Sequence, residues 1–224
     1  MRDAPPPICC GMVREMRRRL NNNSVPPVLN FITKKVRGFA SKAAFFCALA
    51  LTVAIVHARE ISGISFPEVV SVAGRELRLN GMGVLKKAIF VKVYVVGLYL
   101  EKRTTDAPAA ISIDEAKRIV IGMRRNVSRQ AFVQAVETAI MLNSRSAMPT
   151  LRARLDLLEH ALPALKKGDV LDFTYLPGSG TRMRCQGREL TIPGKDFADA
   201  LFSVWLGPKP VNAALKRQLL GVSQ

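Results

Sequence analysis

KKGDVLDFTYLPGSGTRMRCQGRELTIPGKDFADALFSVWLGPKPVNAALKRQLLG, residues 166–221, reads as a strand meander running into two helices. Val170 to Leu176 alternates Val, Leu, Phe and Tyr with polar residues, the period of a half-buried strand, and Pro177-Gly178-Ser179-Gly180 is dense turn punctuation. Thr181 to Cys185 is then the returning strand. Gln186-Gly187 offers a second turn, where glycine reaches positive φ without steric cost, ahead of a third strand from Glu189 to Ile192. From Asp196 the apolar spacing becomes helical, with Phe197, Leu201, Val204 and Trp205 on one face until Gly207-Pro208 stops it. A last helix sets Val211, Leu215 and Leu219 inward. Gly178 to Thr181 lacks the lysine and the glycine spacing of a phosphate-binding loop, so it is read as a hairpin turn.

Upstream of this run the chain begins with strands and then turns helical. Phe66 to Val72 and Glu76 to Asn80 predict a hairpin joined at Ala73-Gly74. After Gly81 and Gly83, the long apolar stretch Val84 to Leu100, interrupted by Lys86, Lys87 and Lys92, is either one bent strand or two. Arg118 to Arg125 predicts another strand, with Ile119, Ile121 and Met123 on one face and Val120 on the other. Ser128 is placed to cap a helix whose apolar face is Phe132, Val136, Ala139 and Ile140. A second helix carries Leu151, Leu155, Leu158 and Leu162 until Pro163 ends it. Strands, two helices, strands, two helices fit an α+β fold, an antiparallel sheet with helices packed on one face.

The formal net charge is +17 at pH 7 and the pI is near 10.4. Part of that charge is N-terminal; from Arg59 onward 25 Lys and Arg stand against 15 Asp and Glu, a net +10. Scattered over several elements and without interleaved aromatics, these cations do not make a nucleic-acid motif; they suit an acidic ligand or contact with an anionic envelope membrane. Lys34, Lys35, Arg37 and Lys42 precede the apolar run Ala43 to Val56, and Val56-His57-Ala58 closes with small residues at cleavage spacing. The pattern is that of a secretory signal peptide, so residues 1–58 are expected to be extension and leader and 59–224 the folded domain, periplasmic or secreted. A retained membrane anchor is the alternative, although the run is shorter than the roughly 20 residues a spanning helix needs. Residues before Asn30 read as an extended n-region, or as upstream of a true start at Met12 or Met16.

Reactive side chains are few. Cys9, Cys10 and Cys47 fall in the leader, which leaves Cys185 alone and without a disulfide partner in the mature part. His160 is the one histidine after the leader, on a helix with Leu155 and Leu158, so neither a Cys–His nucleophile nor a metal site is expected, and no cofactor.

Several segments in order resemble one known family. LNGMGVLKKAIFVKVYVVGLYLE at Leu79 to Glu101, MRRNVS at Met123 to Ser128, YLPGSGT, IPGKDFADALFSVWLG and the closing LKRQLLG are similar to successive landmarks of the bacterial chalcone isomerase-like family, over residues 66–221. The resemblance implies an open-faced β-sandwich, a curved antiparallel sheet with helices layered on one face and an apolar cleft between them, the kind of place where small ligands bind. Plant chalcone isomerases cyclise a flavonoid precursor, and their arginine follows the GxGV stretch. Leu85 occupies that position here. Lys86 is adjacent, but it points to the other face and carries a point charge in place of a guanidinium fork. The plant threonine of the next strand corresponds to Tyr94, and the plant tyrosine, lysine and asparagine to a helical region that offers Asn143, Ser144 and Arg145 but no tyrosine.

The expected ligand-binding set is Tyr94, Arg124, Arg125 and Asn143, with one of the two arginines meeting an anionic head group and no catalytic residue assigned. Binding of an apolar or fatty-acid-like ligand is the favoured function. An intramolecular lyase of the chalcone isomerase type and a non-catalytic subunit of an envelope complex are the alternatives.

Overall fold

The computed structural model describes residues 58–87 and 91–222, and turn chemistry sets where its strands begin and end. The expected leader, its expected cleavage site up to His57 and the three N-terminal cysteines lie outside the described residues. The chain divides after Ala54, and the fold belongs to the second unit. Strand β1 (Ala58–Ile61) turns through Ser62-Gly63 into β2 (Ile64–Pro67), and β3 (Val69–Val72) turns through Ala73-Gly74 into β4 (Arg75–Lys87). Both turns hold two successive residues at positive φ, 52° and 74° in the first and 49° and 76° in the second, the conformation whose twist matches antiparallel strands. The strand expected from Phe66 to Val72 is therefore two. Pro67 lacks a ladder donor and Phe66 belongs to a separate hairpin.

β5 (Val91–Leu100) returns along β4, which resolves the long apolar stretch into two strands. The short helix α1 (Ala107–Ser112), capped by Asp106 and not expected from the sequence, leads into β6 (Lys117–Met123). Ser128 Oγ accepts the Ala131 amide at 3.2 Å and starts α2 (Arg129–Ser144) as expected; a single 3₁₀ turn joins it to α3 (Met148–Ala161). The meander follows as β7 (Val170–Leu176), β8 (Gly180–Cys185) and β9 (Arg188–Ile192), then α4 (Lys195–Leu206) and α5 (Ala213–Leu219). Val211 precedes α5, whose cap is Asn212, yet it packs against the same core as Leu215 and Leu219.

The main sheet has seven antiparallel strands in the order β3-β4-β5-β6-β7-β8-β9, each beside its neighbour in sequence. Alternation sorts its side chains to two faces. Tyr94, Val96 and Leu98 of β5, Ile119, Ile121 and Met123 of β6, and Leu171 and Phe173 of β7 enter the larger core with the buried faces of α2, α3 and α4. Val95 and Tyr99 point the other way, into a smaller core completed by Phe66, Leu77 and Leu79. The β1–β2 hairpin lies over that outer face because two glycines make room for it. A Cβ on Gly97 would come within 2.6 Å of the Phe66 ring, and one on Gly122 within 2.2 Å of Ile64. Burying Phe66 there stabilises the hairpin by about 1.5–3 kcal/mol. No helix of the described residues is long and apolar enough to cross a membrane.

Candidate functional site

Tyr94 sits where the helix-side core approaches the end of the sheet. In the ladder it faces Leu85 of β4 on one side and Met123 of β6 on the other. A bulge between Leu85 and Lys86 sets two residues of β5 against one gap in β4, so Val93 packs with Tyr94 and Leu85 on the helix side. Leu85 and Val93 are half-buried. Tyr94 itself is buried, and from above it Trp205 of α4 donates its Nε1–H to the phenol oxygen at 3.0 Å. The same indole packs at 6.5 Å from the ring of Phe173.

Burial pushes the Tyr94 phenol up to about 12, with the Trp205 hydrogen bond opposing only in part, so the hydroxyl stays neutral at physiological pH. Its oxygen accepts from Trp205, and among the described residues nothing accepts its own proton. A neutral donor held in apolar surroundings is suited to an incoming carboxylate or carbonyl oxygen. From the sequence Trp205 reads as part of the apolar face of its helix. Part of the signal for its partner was present, since a buried indole N–H needs an acceptor and Tyr94 and Tyr175 are strand hydroxyls facing that core.

The remaining candidates do not gather around Tyr94. Met123 enters the helix-side core, so Arg124 faces the other side of the sheet, with its guanidinium close to Gly63 of the β1–β2 turn. Arg125 follows beyond the end of β6 and is exposed. Asn143 ends α2 as a clasp: its Nδ2 donates to Ala139 O at 2.8 Å and Lys209 O at 2.9 Å, and its Oδ1 accepts the Lys209 amide at 2.8 Å. That clasp holds Lys209 to Val211 along α2 and closes an open groove of about 530 Å³, floored by Ala135, Leu142, Pro210 and Val211 with Gln134 and Thr138 at its side.

A second buried polar centre, unforeseen in the sequence, lies at the far end of the same core. Lys117 is fully buried; its Nζ donates to Ile111 O, to Ile113 O at 3.3 Å and to Asp199 at 3.1 Å, and lies over the rings of Tyr175 and Phe202. Desolvation lowers its pKa, opposed by Asp199. With its donors engaged by the last carbonyls of α1 and by a carboxylate, it fastens that helix to the sheet. Among the described residues no group of three or more His, Cys, Asp and Glu is arranged to hold a metal ion.

The sequence model of chalcone isomerase-like proteins matches residues 58–221. Among solved structures 37 chains match. One is the fatty-acid binding protein of Arabidopsis thaliana, with a TM-score of 0.57 at 16% identity, covering 73% of this chain and 96% of that one. At that identity the likeness speaks for the fold: a curled antiparallel sheet forming a half-barrel with helices packed on it. No curated protein matches.

Proposed function

The chain belongs to the chalcone isomerase-like family, and on that premise we propose that it binds an apolar ligand with a polar head, such as a fatty acid, between the sheet and its helices. The observation that carries this reading is the neutral, buried Tyr94 hydroxyl whose proton has no acceptor among the described residues. The half-buried Leu85 and Val93 beside it supply apolar contact. Support comes also from the plant neighbour, a fatty-acid binding protein. The head group is held at Tyr94 without Arg124, which faces the other side of the sheet. Leu85 in place of the plant arginine argues against chalcone cyclisation, which is expected to proceed no faster than the spontaneous reaction in stopped-flow absorbance.

We place the protein in the periplasm or medium, its leader removed after Ala58. N-terminal sequencing of protein recovered from the envelope should begin at Arg59; an intact Met1 in the cytoplasm would remove that localisation.

Calorimetry with a long-chain fatty acid tests the binding. Tyr94→Phe is expected to weaken it by about 1.5–3 kcal/mol, one hydrogen bond to a charged group, while Lys209→Ala leaves it unchanged. A loss confined to Lys209→Ala would move the ligand to the groove along α2. No binding by the wild type would overturn the ligand reading in favour of an envelope-complex subunit.

A further inference from the structure

Charge is segregated along this fold. At the end of the sheet where β5 meets β6, cations are met by acids: Arg75 by Glu101 at 2.9 Å, Arg103 by Glu68 at 2.5 Å and Lys102 by Glu115 at 3.7 Å. At the opposite end, where β4 meets β5 and β6 meets α2, they are not. Lys86 and Lys92 stand directly opposite each other in the ladder, with Lys87 beside them. Lys92 Nζ donates to Ser62 Oγ at 3.0 Å, so both it and the nearby Arg124 border the β1–β2 turn. Arg125 follows, and the loop bearing Lys166 and Lys167 is bound to it, with the Lys167 amide donating to Asn126 Oδ1 at 2.8 Å and the Gly168 amide to Met123 O at 2.9 Å. Arg129 opens α2. Among the described residues none of these side chains forms an ion pair, and the nearby Asp169 carboxylate accepts from the Lys166 amide and Gln186.

Two of these placements cost stability. Like charges directly opposed across a ladder repel, and a cation in the first turn of a helix meets the positive end of its dipole, with no acid in that turn to offset it. Along β4, β5, β6 and the start of α2 this end accumulates uncompensated charge, while Arg184 meets Glu189 at 3.2 Å beyond β7 and the opposite end pairs its cations; such a patch suits an external anion. Among the described residues this end is a broad face of strand ends and loop. Val170, 50% exposed, opens β7 at this end. The chain's three tyrosines and its tryptophan, which could stack bases, are all buried. We propose that this end of the domain docks on an anionic phospholipid bilayer. Tyr94 takes no part in it, so the outcome of the fatty-acid experiment does not bear on it.

The test is flotation of the processed chain, beginning at Arg59, with vesicles of phosphatidylcholine alone and with about one third phosphatidylglycerol, at low and raised salt. The wild type should bind the anionic vesicles more tightly, and salt should remove the excess. Lys86→Glu creates an ion pair with Lys92, so it should raise the melting temperature while weakening the anionic-vesicle binding at least about tenfold. Lys102→Glu, the same charge change at the other end, should weaken it no more than about twofold. Equal losses for the two variants, no preference for phosphatidylglycerol, or tighter binding to a short single-stranded oligonucleotide than to vesicles would overturn the proposal. If Lys86→Glu does not fold, Lys166→Ala/Lys167→Ala in the exposed loop gives the same reading.

Discussion

Lys117 and Tyr94 stand at opposite ends of one core, and their hydrogen bonding separates their roles. The Lys117 ammonium spends its donors on two carbonyls of the α1 end and on Asp199. Replacing it by Met keeps the packing against Tyr175 and Phe202 and leaves Asp199 paired to Lys195 at 2.6 Å, so no carboxylate is orphaned. Two part-buried carbonyls lose their donor. Lys117→Met is expected to cost about 1–3 kcal/mol in urea denaturation without altering ligand binding. Tyr94 differs because its donor is unspent. Its position was reached in the sequence through the family's strand, and the alternation of β6 already implied that Arg124 and Met123 part company. What alternation could not supply was the bulge at Val93, which shifts Lys92 to the outer face while Tyr94 keeps the inner one.

At the scale of elements, legibility followed length and capping. β7 occupies the expected residues, and α2, α3 and α4 lie where 3.6-residue spacing, Ser128, Pro163 and Gly207-Pro208 put them. The four-residue strands β1 and β2 and the six-residue α1 are too short to show a period, and the first lies against the expected cleavage site. The β1–β2 hairpin is held on the sheet by the fit of Ile64 over Gly122 and Phe66 over Gly97. Gly122→Ala should therefore displace Ile64 and cost about 1–3 kcal/mol, the range for overpacking a core. Limited proteolysis would show the specific consequence, faster cleavage near Ser62-Gly63 with the helices still protected. A variant cut as slowly as the wild type would mean that Ile64 yields without freeing the hairpin.

For the whole molecule, the tyrosines report on the integrity of both cores at once. All three of the chain's tyrosines are buried. Tyr94 belongs to the helix-side core and Tyr99 to the outer one, and desolvation pushes each phenol up to about 12; the Tyr175 phenol is raised too, first by burial and then by its 2.5 Å hydrogen bond to the Asp114 carboxylate. In the unfolded chain a tyrosine releases its proton near pH 10. Between about pH 10 and 12 the folded state therefore holds protons that the unfolded state has lost, and stability must fall as pH rises through that window. Tyr94 and Tyr99 each contribute a loss of about 2–3 kcal/mol across it, comparable with a large part of a domain's net stability. Absorbance at the phenolate band, followed with circular dichroism, should stay flat through pH 10 and then rise in one cooperative step that coincides with unfolding. A gradual phenolate signal centred near pH 10 with the fold intact would mean that water reaches these hydroxyls and that the cores are more open than their packing requires.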